Sequence, residues 1–371
     1  MEYALWKLGP KDMKPGEIYT LPGLPGDMFV SSSDLTHRGP PPPQPHHAGG
    51  PPGGGGGPPG RGGGGPPPPG PPPKPGQQPP WVGETEGSIA LMINTCDDLE
   101  GIFIDYVAKQ TGKPVWGVGP LLPAQYWRSA DSLVHDHDVR TKRESNISEE
   151  EVSEWLDSKP RGSVLYVSFG TEVGPTVEDL AELAGALEDS NRPFIWVLQS
   201  SRGPPGPGPK GGPPGGIPGP GPAGGEDYYP DEMARRVEGR GLIIRGWAPQ
   251  LMILSHPSTG GFLTHCGWNS TVEAIGRGVP MVTWPIRGDQ HYNAKLVVLH
   301  MKVGSMIEVG ADASEKVRKD AILRGIETVM ADDEIRKRAA SISAIFDHGF
   351  PASSVASLNA FKDFMSRRIQ H

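Results

Sequence analysis

The chain has 371 residues, with 35 Lys and Arg against 43 Asp and Glu and a formal net charge of −8. That balance excludes binding to nucleic acid by wholesale phosphate neutralisation, and no apolar run approaches the length of a membrane-spanning helix. Its 53 glycines and 44 prolines are concentrated in residues 39–80 and 202–225, and the remainder suffices for one full domain and part of another.

Residues 1–38 are turn-rich, with LPGLPG at 21–26 as their clearest feature. Residues 39–80 are too poor in apolar side chains to offset their ordering entropy and are expected to form a disordered Gly/Pro surface insertion. Residues 88–94 (SIALMIN) read as a buried strand, 99–110 as a helix stopped by Thr111-Gly112, and 115–118 as a second strand. Residues 125–146 are charged and irregular, as a linker would be.

From residue 147 the alternation is regular. Ser148 and Glu151 form a capping box that opens a helix ending near Asp157, and residues 164–169 (VLYVSF) are a strand followed by the turn Gly170-Thr171. Thr176 and Asp179 open the next helix, to residue 188, and 194–198 is the next strand. After the Gly/Pro loop 202–225 come strand 242–245, helix 249–254, strand 261–264, helix 269–275, strand 279–283, helix 290–299 and strand 303–306; helices fill the chain from 314 onward. Strands alternating with helices at this spacing predict an α/β fold with a parallel sheet, buried on both faces.

In such a sheet, ligands sit beyond the carboxyl ends of the strands. Strand 261–264 runs into His265-Cys-Gly-Trp-Asn-Ser-Thr271, where a helix begins. Asn269 and Ser270 are good N-cap types, and the free N–H groups of a first turn together with the helix dipole favour an anion. Gly267 lets the backbone approach a ligand and His265 can donate to a phosphate oxygen, so the loop reads as a diphosphate cradle that needs no metal. Glu273 follows Asn269 by four residues, on the same helix face, and suits a grip on ribose hydroxyls. Trp247 could stack on a base, Asp289 and Gln290 could bond the hydroxyls of a sugar, and Thr171 stands at the same strand ends, within approach of the phosphates.

These residues belong to a longer pattern. WAPQ at 247–250, HPSTGGFLTHCGWNSTVEAI at 256–275, GVPMVTWP at 278–285 and the closing Asp289-Gln290 together resemble the signature box of the plant family 1 UDP-glycosyltransferases. The resemblance covers residue 88 to the C-terminus and, more loosely, residues 21–35. It implies a GT-B type fold of two facing Rossmann-like halves: a partial N-terminal acceptor domain at 1–124, the linker 125–146, a UDP-sugar-binding domain at 147–346 and a helical segment at 347–371 that packs back on the N-terminal part. It implies that Trp247 stacks on uracil, with Ala248 in the same stretch, that Gln250 and Glu273 hold the uridine, that His265, Asn269 and Ser270 bind the diphosphate, and that Asp289 and Gln290 bind the sugar. In the family a closing Gln goes with glucose and Trp at position 268 disfavours glucuronate, whereas Arg287 is less usual.

The implied activity is inverting transfer of glucose from UDP-glucose, a co-substrate and not a cofactor, to a hydroxyl of a small secondary metabolite. The family's base, an early histidine oriented by an aspartate, has no counterpart among these residues. The chain is expected to begin well inside the acceptor domain and to turn over negligibly by itself. The alternative is a donor-binding module, or one half of a two-chain transferase, without a base of its own.

The other candidates read as bland. His135 and His137 with their aspartates lie in the linker, His46 and His47 in the insertion, and the glycosylation patterns at Asn146 and Asn269 suit no cytoplasmic chain. Two cysteines, Cys96 and Cys266, fit a reducing compartment. With no apolar run of signal-peptide length at the N-terminus, the expectation is a soluble cytoplasmic protein whose partners are a UDP-sugar and a small acceptor.

Overall fold

The computed structural model describes residues 1–9, 14, 17–31, 77–122, 126, 145–171, 174–198, 230–308 and 317–369. The N-terminal part supplies helix α1 (Glu2–Leu8), the antiparallel pair β1 (Ile18–Thr20) and β2 (Phe29–Ser31), helix α2 (Pro80–Glu84), strand β3 (Leu91–Ile93), helix α3 (Asp97–Thr111) and strand β4 (Val115–Gly117). Strands β3 and β4 pair in parallel as a two-stranded sheet. Three acidic residues in the first turn of α3 complement its dipole, and Gly112 ends it in the left-handed conformation, φ 66°.

The larger part begins with α4 (Glu149–Asp157) and continues through β5 (Val164–Ser168), α5 (Val177–Asp189), β6 (Phe194–Leu198), α6 (Asp231–Arg236), β7 (Gly241–Arg245), α7 (Gln250–Ser255) and β8 (Thr259–Thr264). Next come α8 (Trp268–Ile275), β9 (Met281–Thr283), α9 (Gln290–Lys295), a π-helical turn at Leu296–Met301 and β10 (Gly304–Met306), then α10 (Lys319–Ala331), α11 (Asp333–Ser343) and α12 (Ala352–Ile369). Both capping boxes form as expected. Ser148 Oγ accepts from Glu151 N while Glu151 returns the bond to Ser148 N, and Thr176 and Asp179 do the same.

The six strands of the larger part form one all-parallel sheet in the order β10-β9-β8-β5-β6-β7. Side chains of a strand alternate between faces, and each face carries its own core. Val164, Tyr166, Ile195 and Phe262 pack with α4, α7 and α8 on one side, and Leu165, Val167, Trp196 and Leu263 pack with α5 and α10 on the other. The chain leaves β5 toward β6 and β7, then returns to build β8, β9 and β10 on the opposite side. The switch point therefore lies between β5 and β8, where such sheets bind ligands.

Among the described residues, contacts at several places tie the small part to the large one. Cys96 and Leu99 enter the core on the α7–α8 side of the sheet. Helix α12 returns to the N-terminal part, where Phe361 and Phe364 meet Trp116 edge-on at 5.6 and 5.4 Å, Ser354 Oγ donates to Gly119 O and Ser353 Oγ donates to Asp98.

Several expectations need revising. The run 88–94 shortens to β3, which is only half-buried, with Met92 46% exposed; an apolar run signals a strand without saying how many faces are covered. Helix 290–299 becomes α9 and then a wider turn closed by Lys302 in the left-handed region, φ 56°. Pro80 sits inside α2, where a proline costs nothing at N1, so helix begins at the last residue of the expected insertion. The rest of that insertion up to residue 76, the loop 202–225, His46, His47, His135 and His137 lie outside the described residues. Of the expected linker, Tyr126 is described and is 2% exposed, packed on Leu251.

Candidate functional site

The expected site residues gather at the carboxyl ends of the parallel strands. Gly170 and Thr171 follow β5, Trp247 and Ala248 follow β7, His265 and Gly267 follow β8, and Asp289 and Gln290 close the loop after β9. Thr171, Asn269 and Asp289 are exposed, Trp247, Gln250, Gly267, Trp268 and Ser270 half-buried, and Ala248, His265, Glu273 and Gln290 buried.

The centre of the arrangement is Glu273, only 1% exposed. Sequence alone makes it a helix carboxylate, and such groups are ordinarily solvated. Burying it requires partners, and Gln250 supplies one: its Nε2 donates to Glu273 Oε2 at 2.6 Å and lies 3.1 Å from Ser270 Oγ. The amide is itself oriented by Tyr166, whose hydroxyl donates to Gln250 Oε1 at 3.1 Å. From below, Tyr126 donates its hydroxyl to the Glu273 carbonyl, and Arg277 covers the Tyr126 ring at 4.3 Å and bonds its carbonyl at 2.8 Å. Burial pushes the Tyr126 phenol far above its ordinary range, so it stays a donor.

The loop after β8 is built differently from its sequence reading. The N-cap of α8 is Gly267, with no side-chain cap, and Asn269 and Ser270 stand in the first turn. The first helical bond runs from Thr271 N to Gly267 O, 3.0 Å. The N–H groups of residues 268–270 thus have no helical acceptor and point out of the helix end. Glycine at 267 serves His265: a Cβ there would stand 2.5 Å from Nε2 of the imidazole, and one on Gly170 2.8 Å from the same atom. The ring is seated between two loop backbones, one from each side of the switch point. Gly170 also has φ 73°, a conformation glycine adopts without strain.

In the loop after β9, Gln290 turns its Oε1 inward to accept from Ile286 N and Arg287 N at 2.9 and 3.0 Å, shaping the loop that carries Asp289. Trp268 donates its indole N–H to Asn94 O at 2.5 Å, joining α8 to the end of β3. Beyond α9 a cavity of about 180 Å³ opens against the N-terminal part, with Tyr3, Trp81, Phe103, Tyr106 and Tyr292 among its walls.

The model for UDP-glucoronosyl and UDP-glucosyl transferase matches residues 123–353, a span that holds every one of these strand-end residues. The chain belongs to that family. Among relatives of this UDP-glucosyl transferase family, scopoletin glucosyltransferase of Nicotiana tabacum is 37% identical over 250 residues, covering 67% of this chain and 47% of the relative. UDP-glucosyl transferase 73M2 of Saponaria officinalis is 38% identical, with coverages of 73% and 53%. The chain thus spans about half the length of the curated relatives it matches. The structure of Phytolacca americana UGT2 complexed with UDP-2fluoro-glucose and pterostilbene superposes with a TM-score of 0.58 at 31% identity, covering 77% of this chain and 56% of that one. A UDP-glucosyltransferase of Polygonum tinctorium gives 0.57 at 32% identity, with coverages of 74% and 53%. The parallel sheet is accordingly the Rossmann-like donor domain of a GT-B fold.

Four supporting residues escape a sequence reading: Tyr166, Tyr126, Gly170 and Asn293. Tyr166 looks like one more strand residue, Tyr126 like linker and Gly170 like any turn glycine. The two tyrosines act through contacts 84 and 147 residues away in the chain, Gly170 through His265 of another loop, and Asn293 through Cys266 and Asp289.

Proposed function

We propose that this chain binds a UDP-sugar, with glucose as the hexose, and that the site serves inverting glucosyl transfer to a hydroxyl of a small secondary metabolite. The observation that carries the reading is the buried Glu273 carboxylate held by Gln250 beside the open N-terminus of α8. A carboxylate taken out of water and held by the Gln250 amide suits a grip on ribose hydroxyls, a charge-assisted arrangement that an ordinary helix face does not need. Trp247 then stacks on the base, and His265, the first-turn N–H groups, Asn269 and Ser270 receive the diphosphate with Thr171 alongside. Asp289 and Gln290 face the hexose, and Trp268 closes the crevice from the N-terminal side. The phosphate charge is met by backbone and imidazole donors in this scheme, and no metal is required by it.

The relatives support the substrate classes: one is named for scopoletin and another, from Fragaria ananassa, for flavonoid 3-O-glucosylation from UDP-glucose. The aromatic cavity beside α9 suits a planar acceptor of that kind. A cytoplasmic setting belongs to the same reading, supported by two free, buried cysteines; among the described residues no helix is long and apolar enough to cross a membrane.

Titration calorimetry of the purified chain with UDP and UDP-glucose tests the donor site. Binding of both is expected, and Glu273→Ala should weaken each by about 100-fold, as for loss of a charged pair of hydrogen bonds. Unchanged affinity in that variant would sink the assignment. Glucoside formation from UDP-glucose and a simple phenol, followed by chromatography, tests transfer itself; turnover would place a base among residues where the sequence identifies none.

A further inference from the structure

Asn293 lies one turn into α9, past the residues that the donor reading uses. Its Nδ2 makes two bonds at once: it donates to Asp289 Oδ2 at 3.1 Å and to Cys266 O at 2.9 Å. An amide nitrogen has two hydrogens, so both are committed and the group cannot turn without losing one. The two acceptors belong to different loops. Cys266 sits in the strap after β8, between His265 and the Gly267 cap, and has φ 62°, a conformation rarely held by a residue with a side chain. Its N–H donates to Thr264 Oγ1 at 3.2 Å, so side chains hold this peptide segment on both sides. Asp289 by contrast is exposed and stands at the N-cap of α9 without using its side chain as a cap. Left alone, an exposed aspartate would sample several rotamers.

We propose that Asn293 is a positioning residue that locks the Asp289 carboxylate in register with the strap carrying His265, so that hexose and diphosphate are gripped at a fixed separation. One carboxylate oxygen, Oδ2, is held by Asn293, which leaves Oδ1 for a hydroxyl of the hexose. The lock costs the ligand no rotamer entropy at Asp289, because the ordering is done before binding. This inference rests on the donor-site reading above and adds to it a residue that touches no ligand itself.

The test is a cycle of Asn293→Ala, Asp289→Ala and the double variant, with calorimetric affinities for UDP and for UDP-glucose on each. Asn293→Ala should lower the ratio of UDP-glucose affinity to UDP affinity by about tenfold and change UDP affinity by less than about threefold. The double variant should show no greater loss in that ratio than Asp289→Ala alone, because Asn293 acts through Asp289. Asn293→Asp, equal in size but lacking the donors, should reproduce the loss, which separates positioning from packing. An unchanged ratio in Asn293→Ala, equal losses for UDP and UDP-glucose, or losses that multiply in the double variant would each overturn the proposal while leaving the donor site standing. A parent chain that binds neither nucleotide would overturn both.

Discussion

Strands β5 and β3 are both short apolar runs in parallel pairings, yet they live in different surroundings. All five residues of β5 are buried between two helical layers, and the strand has neighbours on both edges. Strand β3 pairs with β4, is half-buried, and leaves Met92 46% and nearby Ile89 46% exposed. Apolar character makes a strand in either case; how much that strand contributes depends on the number of faces something else covers. The six-stranded region should therefore hold the stability of the molecule, with the small sheet anchored to it through Cys96, Leu99 and the returning α12.

The strongest way to break this contrast is in the large sheet. A Cβ on Gly260 would fall 2.0 Å from the Gly162 carbonyl oxygen, a backbone atom of the turn before β5 that would have to be displaced. Gly260→Ala should abolish cooperative folding as followed by circular dichroism. Trp196→Ala, at a fully buried position on the α5–α10 face, should cost about 3–5 kcal/mol in urea denaturation. At the junction of the two regions, Trp268→Phe removes the N–H that reaches Asn94 O and should cost about 1 kcal/mol. Met92→Ala should cost less than about 0.5 kcal/mol; a loss comparable to that of Trp196→Ala would show the small sheet to be as structural as the large one.

The cysteines sharpen the same comparison, one in each region. Both are 0% exposed; burial pushes the Cys96 thiol up to about 12 and holds Cys266 higher still. At pH 8 neither forms appreciable thiolate in the folded chain, so a thiol reagent should find none until urea unfolds it. Because Cys96 is part of the main core, both should react in one transition. Release of Cys96 at a lower urea concentration would separate the two regions.

Much of the fold was legible before any coordinates. Both capping boxes, the order of strands and helices and the parallel sheet follow from period and cap chemistry, which are local properties. The site was legible as a set of residue types at strand ends, since a parallel sheet brings all its carboxyl ends to one edge. What the residue types concealed was how they are held. Asn269 and Ser270 look like caps, but Gly267 takes that position because His265 needs the space. The conspicuous histidine of HxxxGG, His256, is structural: its Nδ1 accepts from Ser258 N at 3.1 Å and its Nε2 faces Asp157 at 3.2 Å, at the opposite end of β8 from the site.

The amino-acid sequence by itself thus determined the family, the alternation of elements and the inventory of groups able to meet a nucleotide-sugar, because spacing, caps and a long motif are written along the chain. Only the tertiary structure decided that Glu273 is buried and held by Gln250, that Tyr166 and Tyr126 brace this pair, that His265 is seated between Gly170 and Gly267, and that Asn293 couples two loops. Each of these depends on elements that meet only in the folded chain, some at the switch point between β5 and β8 and others along α8 and α9. Burial and hydrogen-bond partnership are properties of that meeting and not of any one stretch of chain.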